Sequence, residues 1–325
     1  MRVAAILNRE GGTIRSVDVE RLCADLGEAF AGAGRSLECH VTDGANLVET
    51  LRRQAGRDDI DCIVAGGGDG TVSASAAVCW QEGKALGILP AGTMNFFART
   101  LGIPLDLEEA VQALANAPEA RADIATANGR AFIHQYSVGM QPRMVMERER
   151  REYAGSRLGK ILASARAALS PLMQPPSFRA VITTDGEAVR RRLSLLAVSA
   201  NPHGTGHLPY PDTFDSGALG LYAARPLAPA AGLQLAADLT LGSWDANPDL
   251  EKATAAEVKL EFPGHKPGAK ALIDGEIVDL ERRVEIRIER KALRVLHLQG
   301  DRPKATEETA ATDAGLHARP SRLGA

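Results

Sequence analysis

The chain has 325 residues, of which 45% are hydrophobic and 24% charged, with a formal net charge of -3. That length suits two domains, and the composition is that of a globular protein with a substantial core. The weak negative charge excludes a global field for nucleic acid, and no stretch reaches the roughly 20 apolar residues of a membrane span. The expected location is cytoplasmic.

The first 120 or so residues alternate strand and helix signals. Val3–Leu7 is an apolar run that ends at Asn8 and the pair Gly11-Gly12. Leu22, Leu26, Ala29, Phe30 and Ala33 then recur at helical spacing. Leu37–Val41 reads as a second strand, Leu47–Ala55 as a second helix, Cys62–Ala65 as a third strand and Ala85–Leu89 as a fourth. Strands separated by helices imply a doubly wound parallel sheet covered on both faces.

Beyond residue 125 the pattern changes to period-two alternation, clearest in Val258–Phe262 and Val284–Glu289. Ala131–Tyr136, Phe178–Thr184, Leu193–Ser199, Leu219–Ala223 and Leu293–Leu298 are further strand candidates. The spacing predicts an antiparallel β-sandwich over 126–300, after an α/β domain over 1–125. One helix is expected near 156–172, and 301–325 reads as a disordered tail. The four cysteines, Cys23, Cys39, Cys62 and Cys79, form no Cys-x-x-Cys pair and read as small buried hydrophobes in a reducing compartment.

Two turns carry the chemistry. The third strand breaks into Gly66-Gly67-Gly68-Asp69-Gly70-Thr71. Glycines permit positive φ and leave no Cβ, so backbone N–H groups can approach a phosphate chain, and a helix starting near Thr71 aims its positive end at the same place. Asp69 there is suited to holding a metal, a water network or the turn's own amides. The fourth strand ends in Pro90-Ala91-Gly92-Thr93-Met94-Asn95-Phe96. In a parallel sheet this turn lies beside the first, where Thr93 and Asn95 can bond phosphate or ribose. Neither a Walker A loop nor a Gly-x-Gly-x-x-Gly fingerprint at the first strand is present. Gly155–Lys160 is one residue short of the former.

The two turns resemble the catalytic domain of diacylglycerol kinases, sphingosine kinases and bacterial soluble lipid kinases, with its Gly-Gly-Asp-Gly-Thr and Pro-x-Gly-Thr-x-Asn-x-x-Ala elements. Asn8, Gly11 and Gly12 resemble its first nucleotide loop, with Arg9 in place of the usual proline, and Thr42 occupies a nucleotide-contacting place. Ile273-Asp274-Gly275-Glu276 resembles its Asp-Gly-Glu element, although Asp-Gly also reads as a hairpin turn. The resemblance implies a lipid kinase that uses ATP and Mg²⁺ in a cleft between the domains. It passes the γ-phosphoryl group to a lipid hydroxyl such as that of diacylglycerol. The nucleotide-binding set is Asn8, Gly11, Gly12, Thr42, Gly66, Gly67, Gly68, Asp69, Gly70, Thr71, Gly92, Thr93 and Asn95. Glu276 is the first candidate for the proton acceptor, ahead of Asp274, with Asp69 also assigned to catalysis.

This chain departs from the family at Ser73-Ala74, where Asn-Glu is usual, and at Phe96 and Ser216, where Asp is usual. Ser216 matches a carboxylate of a structural Mg²⁺ site that also uses backbone carbonyls, here those of Thr213 and Ala218, with Asp215 beside them. A catalytically weak nucleotide- and lipid-binding module and an NAD kinase are the competing readings. From Arg143 to Arg166 there are seven Arg/Lys against three Glu. Such a segment suits docking on an anionic bilayer at the inner membrane surface, and suits a solvated helix face equally. His134, His203 and His207 lack ligand spacing and read as polar residues, the latter two in a Gly/Pro-rich loop. No nucleic acid partner is expected, and a homodimer is left open.

Overall fold

The computed structural model describes residues 1–152, 175–206 and 208–298. The described residues form two compact units, one of 1–121 with 293–298 and one within 122–292.

In the first unit β1 (Arg2–Asn8), β2 (Ser36–Thr42), β3 (Cys62–Gly67) and β4 (Ala85–Pro90) form a parallel sheet in the order β2-β1-β3-β4. Of these strands β1, β3 and β4 are apolar along almost their whole length, while β2, at the sheet edge, is mixed and half-buried. β3 and β4 are buried at every position, as continuous hydrophobic runs must be when helices cover both faces. α1 (Val19–Gly32) packs with α5 (Leu107–Asn116), while α2 (Leu47–Ala55) packs with α3 (Asp69–Glu82). The short α4 (Phe96–Thr100) follows β4.

Right-handed crossovers put α1 on one face and α2 and α3 on the other, because the chain leaves β1 and β3 in opposite directions. Asp18 caps α1 by accepting from the Glu20 and Arg21 amides, and Asp106 caps α5 through Glu108 and Glu109. The N-cap of α3 is Gly68, which has no side chain to close its first turn.

One outcome differs from the sequence expectation. Leu293–Leu298 alternates like an antiparallel strand, but it holds the end of β16 (Arg283–Leu296), where Arg294 and Val295 pair in parallel with Ala85 and Leu86 of β4. At Lys291, with φ 51, the strand bends and its buried positions change from even numbers (Val284, Ile286) to odd (Leu293, Val295).

The second unit holds two antiparallel sheets. One runs β16-β13-β8-β9, with β5 (Glu119–Ala127) on β16 and β6 (Arg130–Phe132) on β5. Here β8 is Phe178–Thr184, β9 Glu187–Leu193 and β13 Glu257–Glu261. The other runs β12-β11-β10-β7-β14-β15. Its strands are β7 (Gln135–Gly139), β10 (Leu195–Ser199), β11 (Leu219–Ala224), β12 (Leu250–Ala255), β14 (Lys270–Ile273) and β15 (Glu276–Asp279). β10 and β11 are buried throughout, so both faces of this sheet are covered.

α6 (Met140–Glu152) and α7 (Pro229–Leu241) supply one cover. Met140, Leu195, Ala197, Tyr222, Ala224 and Trp244 form the cluster beneath them, joined by Met144, Ala236 and Leu239. Ala131–Tyr136, one strand by its pattern, is split between β6 and β7 and so passes from one sheet to the other. The helix expected near 156–172 and the tail from 301 lie outside the described residues, as does His207.

Two of the four cysteines also differ from expectation. Cys62 and Cys79 are buried free thiols, and burial pushes the Cys62 thiol up to about 12. Cys23 and Cys39 instead form a disulfide that ties α1 to β2. A helix and a strand 16 residues apart bring their Cα atoms to 5.7 Å, a proximity that residue spacing alone does not reveal.

Candidate functional site

Register alone gathers the chemistry-bearing turns of the first unit. Asn8 pairs with Thr42, Leu7 with Gly66, and Gly67 with Pro90, so all four strand ends lie on one edge. From β1 the chain leaves toward β2, and from β3 toward β4. The crevice between β1 and β3 is therefore the topological switch point, where open α/β sheets take ligands.

Three loops are locked together there. Asn8, buried, donates from Nδ2 to Thr71 Oγ1 at 3.1 Å and accepts the Glu10 amide on Oδ1. Gly11 N donates to Asn8 O, Arg9 N to Thr42 O, and Thr13 N, next to Gly12, to Ala91 O at 2.8 Å. Ala91 N in turn donates to Gly67 O at 3.0 Å. Gly68 and Gly92 meet backbone to backbone, and a Cβ on Gly92 would stand 2.7 Å from the Gly68 Cα.

None of Gly66, Gly67, Gly68, Gly70 and Gly92 has a positive φ, contrary to the expectation from their sequence. In this turn glycine supplies room. Gly70 is exposed with open space beside it, and Thr71 is buried. The amides of Asp69, Gly70 and Thr71 open α3, where intrahelical partners do not exist and the helix dipole favours an anion.

Asp69 and Asn95 differ from their expected roles. The Asp69 carboxylate accepts the Asn95 amide on Oδ2 at 3.0 Å and the Phe96 amide on Oδ1 at 2.8 Å. It holds amides of the second turn rather than its own, and so caps α4. Asn95 adopts φ 52 and turns its side chain back on Gly92, accepting from Gly92 N and donating to Gly92 O, both at 2.8 Å. Its amide group closes the turn instead of facing outward. Thr93 is exposed, and Thr42 is buried with its hydroxyl 3.3 Å from Asp43 O.

The second unit carries the Asp-Gly-Glu element on the β14–β15 hairpin, with Asp274 at φ 47 and Gly275 at φ 86. These are the two positive φ values of a type I′ turn. Asp274 Oδ2 accepts the Ile133 amide, and Oδ1 accepts those of His134 and Gln135, all at 2.9 Å. Those amides belong to the segment between β6 and β7, so this carboxylate holds the corner where the chain changes sheets. Three N–H donors occupy its two oxygens. Glu276 differs: its side chain is 71% exposed and meets Arg130 Nη2 at 2.6 Å.

The segment suggested for a metal, Thr213, Asp215 and Ala218, lies in the loop before β11. Thr213 Oγ1 donates to Asp215 Oδ1 at 2.6 Å, Arg290 Nε donates to Gly217 O at 2.9 Å, and Lys291 Nζ is 4.0 Å from Asp215 Oδ2. Among the described residues no group of three or more His, Cys, Asp or Glu is placed to hold a metal. Asp215 and the Ala218 carbonyl already meet protein hydroxyls, Arg290 and Lys291 bring positive charge to the loop, and Ser216 offers no carboxylate, so this loop does not fit the implied ion.

Sequence reasoning passed over Asp123. It is buried on β5, accepts Gly217 N at 2.7 Å and Lys291 N at 2.8 Å, and donates its own amide to Phe214 O. A single acid in an alanine-rich run gives no motif to notice. His203 stacks between Tyr222 and His134, and burial, followed by His134, lowers its pKa well below the ordinary range. It packs as a neutral ring. Of the basic segment, 153–166 lies outside the described residues, as do the side chains of Arg148, Arg150 and Arg151.

Residues 2–127 match the model of the diacylglycerol kinase catalytic domain. An uncharacterized protein of Synechocystis is 30% identical over 256 residues, spanning 75% of this chain and 57% of the relative. A diacylglycerol kinase of Bacillus subtilis is 33% identical over 114 residues, spanning 34% and 38%. The chain thus covers less than two thirds of either relative's length. A solved diacylglycerol kinase of Bacillus anthracis shares the fold, with a TM-score of 0.67 and 19% identity over 92% of this chain and 97% of that one. Among the described residues no helix is long and apolar enough to cross a membrane. Residues 2–127 are therefore similar to the diacylglycerol kinase catalytic domain.

Proposed function

We propose that the chain transfers the γ-phosphoryl group of ATP to a lipid hydroxyl, with diacylglycerol as the first acceptor to test. The observation that carries this reading is the interlocked edge of β1, β3 and β4. There the α3 amides are left without a side-chain cap beside turns whose Gly68 and Gly92 meet backbone to backbone. Phosphoryl transfer is mostly positioning and charge neutralisation, which backbone amides supply. In this reading the amides of Gly68, Asp69, Gly70 and Thr71 cradle the phosphates, while Asp69 and Asn95 keep the second turn in place.

Mg²⁺, when bound with the nucleotide, neutralises charge on the phosphates. Asp69, whose oxygens each accept one amide, would hold the ion through their remaining lone pairs or through water. Glu276 takes the proton of the acceptor hydroxyl as its oxygen bonds to the γ-phosphorus and the bond to the β-phosphate oxygen breaks, releasing ADP. Asp274 shapes the hairpin that presents Glu276. The basic segment from Arg143 to Arg166 docks the protein on the anionic inner surface of the membrane, where such acceptors reside.

The test is incubation with labelled ATP, Mg²⁺ and a panel of lipids in mixed micelles, with NAD as a control acceptor. Transfer to diacylglycerol and none to NAD is expected. Intact ATP binding with no transfer to any lipid overturns the enzyme reading.

A further inference from the structure

We infer that Arg290, Lys291 and Ser216 take the place of a divalent ion in the loop 212–218, which keeps its shape without metal. A hard cation such as Mg²⁺ needs about six oxygens, several of them anionic. The family resemblance offers a carboxylate at position 216, two backbone carbonyls, and Asp215 from the neighbouring position. In this chain the carboxylate of that set is missing, and Asp215 and the Ala218 carbonyl have other partners.

Ser216 has no charge to offer. Its amide and hydroxyl both donate to Asn201 Oδ1, at 2.9 and 2.6 Å, and the hydroxyl lies 3.2 Å from the Ala218 carbonyl. One oxygen of Asp215 accepts the Thr213 hydroxyl, and the other faces the Lys291 ammonium at 4.0 Å. Arg290 places its guanidinium on the Gly217 carbonyl at 2.9 Å, between the two residues whose carbonyls the ion would use. An entering divalent cation would meet the positive charges of Arg290 and Lys291 and compete with the bond that Arg290 makes.

The brace is anchored from below. Asp123, buried on β5, accepts the Gly217 amide on one oxygen and the Lys291 amide on the other, at 2.7 and 2.8 Å. One carboxylate thus ties the loop to the point where β16 bends, the left-handed Lys291. That bend carries Arg290 and Lys291 together. The inference is independent of the phosphoryl-transfer reading, because nothing in it requires nucleotide or lipid.

The test uses the full-length protein without nucleotide. Wild type is stripped with EDTA, then titrated with Mn²⁺ while free Mn²⁺ is read by electron paramagnetic resonance, and its Tm is measured in EDTA and in excess Mg²⁺. A resident ion in a hundredfold excess over its Kd would raise Tm by several degrees. The expected result is no equivalent of Mn²⁺ assignable to the loop and the same Tm in both conditions. Arg290→Ala should lower Tm equally with and without Mg²⁺, and Arg290→Lys should recover part of the loss. A Mn²⁺ equivalent bound by wild type and abolished by Asp215→Asn overturns the proposal, as does an unchanged Tm in Arg290→Ala. The titration of wild type needs no variant and decides the matter even if Arg290→Ala does not fold.

Discussion

The turn after β3 and the hairpin between β14 and β15 solve one problem by different means. In both, an aspartate next to a glycine reaches out of its own turn and holds the amides of a neighbouring segment. Asp69 holds Asn95 and Phe96, and Asp274 holds Ile133, His134 and Gln135. The glycines do opposite work. Around Asp69 they make room for backbone to meet backbone, and beside Asp274 Gly275 supplies a positive φ with nothing near its missing Cβ. An acid inside a kinase motif can therefore be the fastener of the motif, leaving the chemistry to what it holds in place.

The sharpest separation between fastener and reagent is Glu276. Its ion pair with Arg130 is exposed and is worth about 1 kcal/mol or less. Glu276→Gln should leave Tm nearly unchanged, yet lower turnover by roughly 10²–10⁴-fold if this carboxylate takes the hydroxyl proton. Unchanged turnover would place the hairpin outside the chemistry. Asp274→Ala should act first on stability. Stranding three N–H groups, each worth about 1–3 kcal/mol when left unpaired, predicts a loss on the order of 3 kcal/mol and a Tm lower by roughly 6–12 °C. A stable Asp274→Ala protein that had lost only activity would return the catalytic role to Asp274.

Most of what was legible came from strands that stop abruptly. An apolar run broken by three glycines announces both the sheet and its turn, and Asp274-Gly275 between alternating strands announces a hairpin. What stayed hidden was fixed from far along the chain. Ala131–Tyr136 divides because a carboxylate about 140 residues away takes the amides at its middle. β9 carries Arg190, Arg191 and Arg192 in succession, a charged edge strand with no alternation to read. Asn95 looked like a ligand for phosphate because an exposed amide and one folded back on Gly92 have the same sequence. The disulfide and the buried Asp123 leave no local pattern at all.

Asp69→Ala is the matching experiment on the other turn. Two stranded amides predict a loss of about 2 kcal/mol and a Tm lower by roughly 4–8 °C, less than for Asp274. It also releases the second turn from the first, so ATP affinity measured by calorimetry should fall. Asp69→Asn keeps an oxygen for one amide and should fall between the two. If ATP affinity survives Asp69→Ala unchanged, the second turn contributes nothing to nucleotide binding and the parallel between the two aspartates fails.

The smallest effects test the glycines. Ala at Gly92 meets the Gly68 Cα at 2.7 Å, backbone against backbone, and neither chain can yield without moving a strand end. Gly92→Ala and Gly92→Asn should both cost about 1–3 kcal/mol, the ordinary penalty of overpacking, and the larger side chain should not be the milder change. Gly275 answers to conformation instead, at φ 86 with open space around it. Gly275→Ala should cost about 1–2 kcal/mol, the penalty for placing a Cβ in the left-handed region, while Gly275→Asn should cost clearly less because asparagine tolerates that region. Reading the four variants by Tm gives two orders: Asn no better than Ala at position 92, and Asn better than Ala at position 275. Asn rescuing position 92 would mean that the phosphate-side turn is strained rather than crowded, and the close approach of Gly68 and Gly92 would no longer explain why glycine stands there.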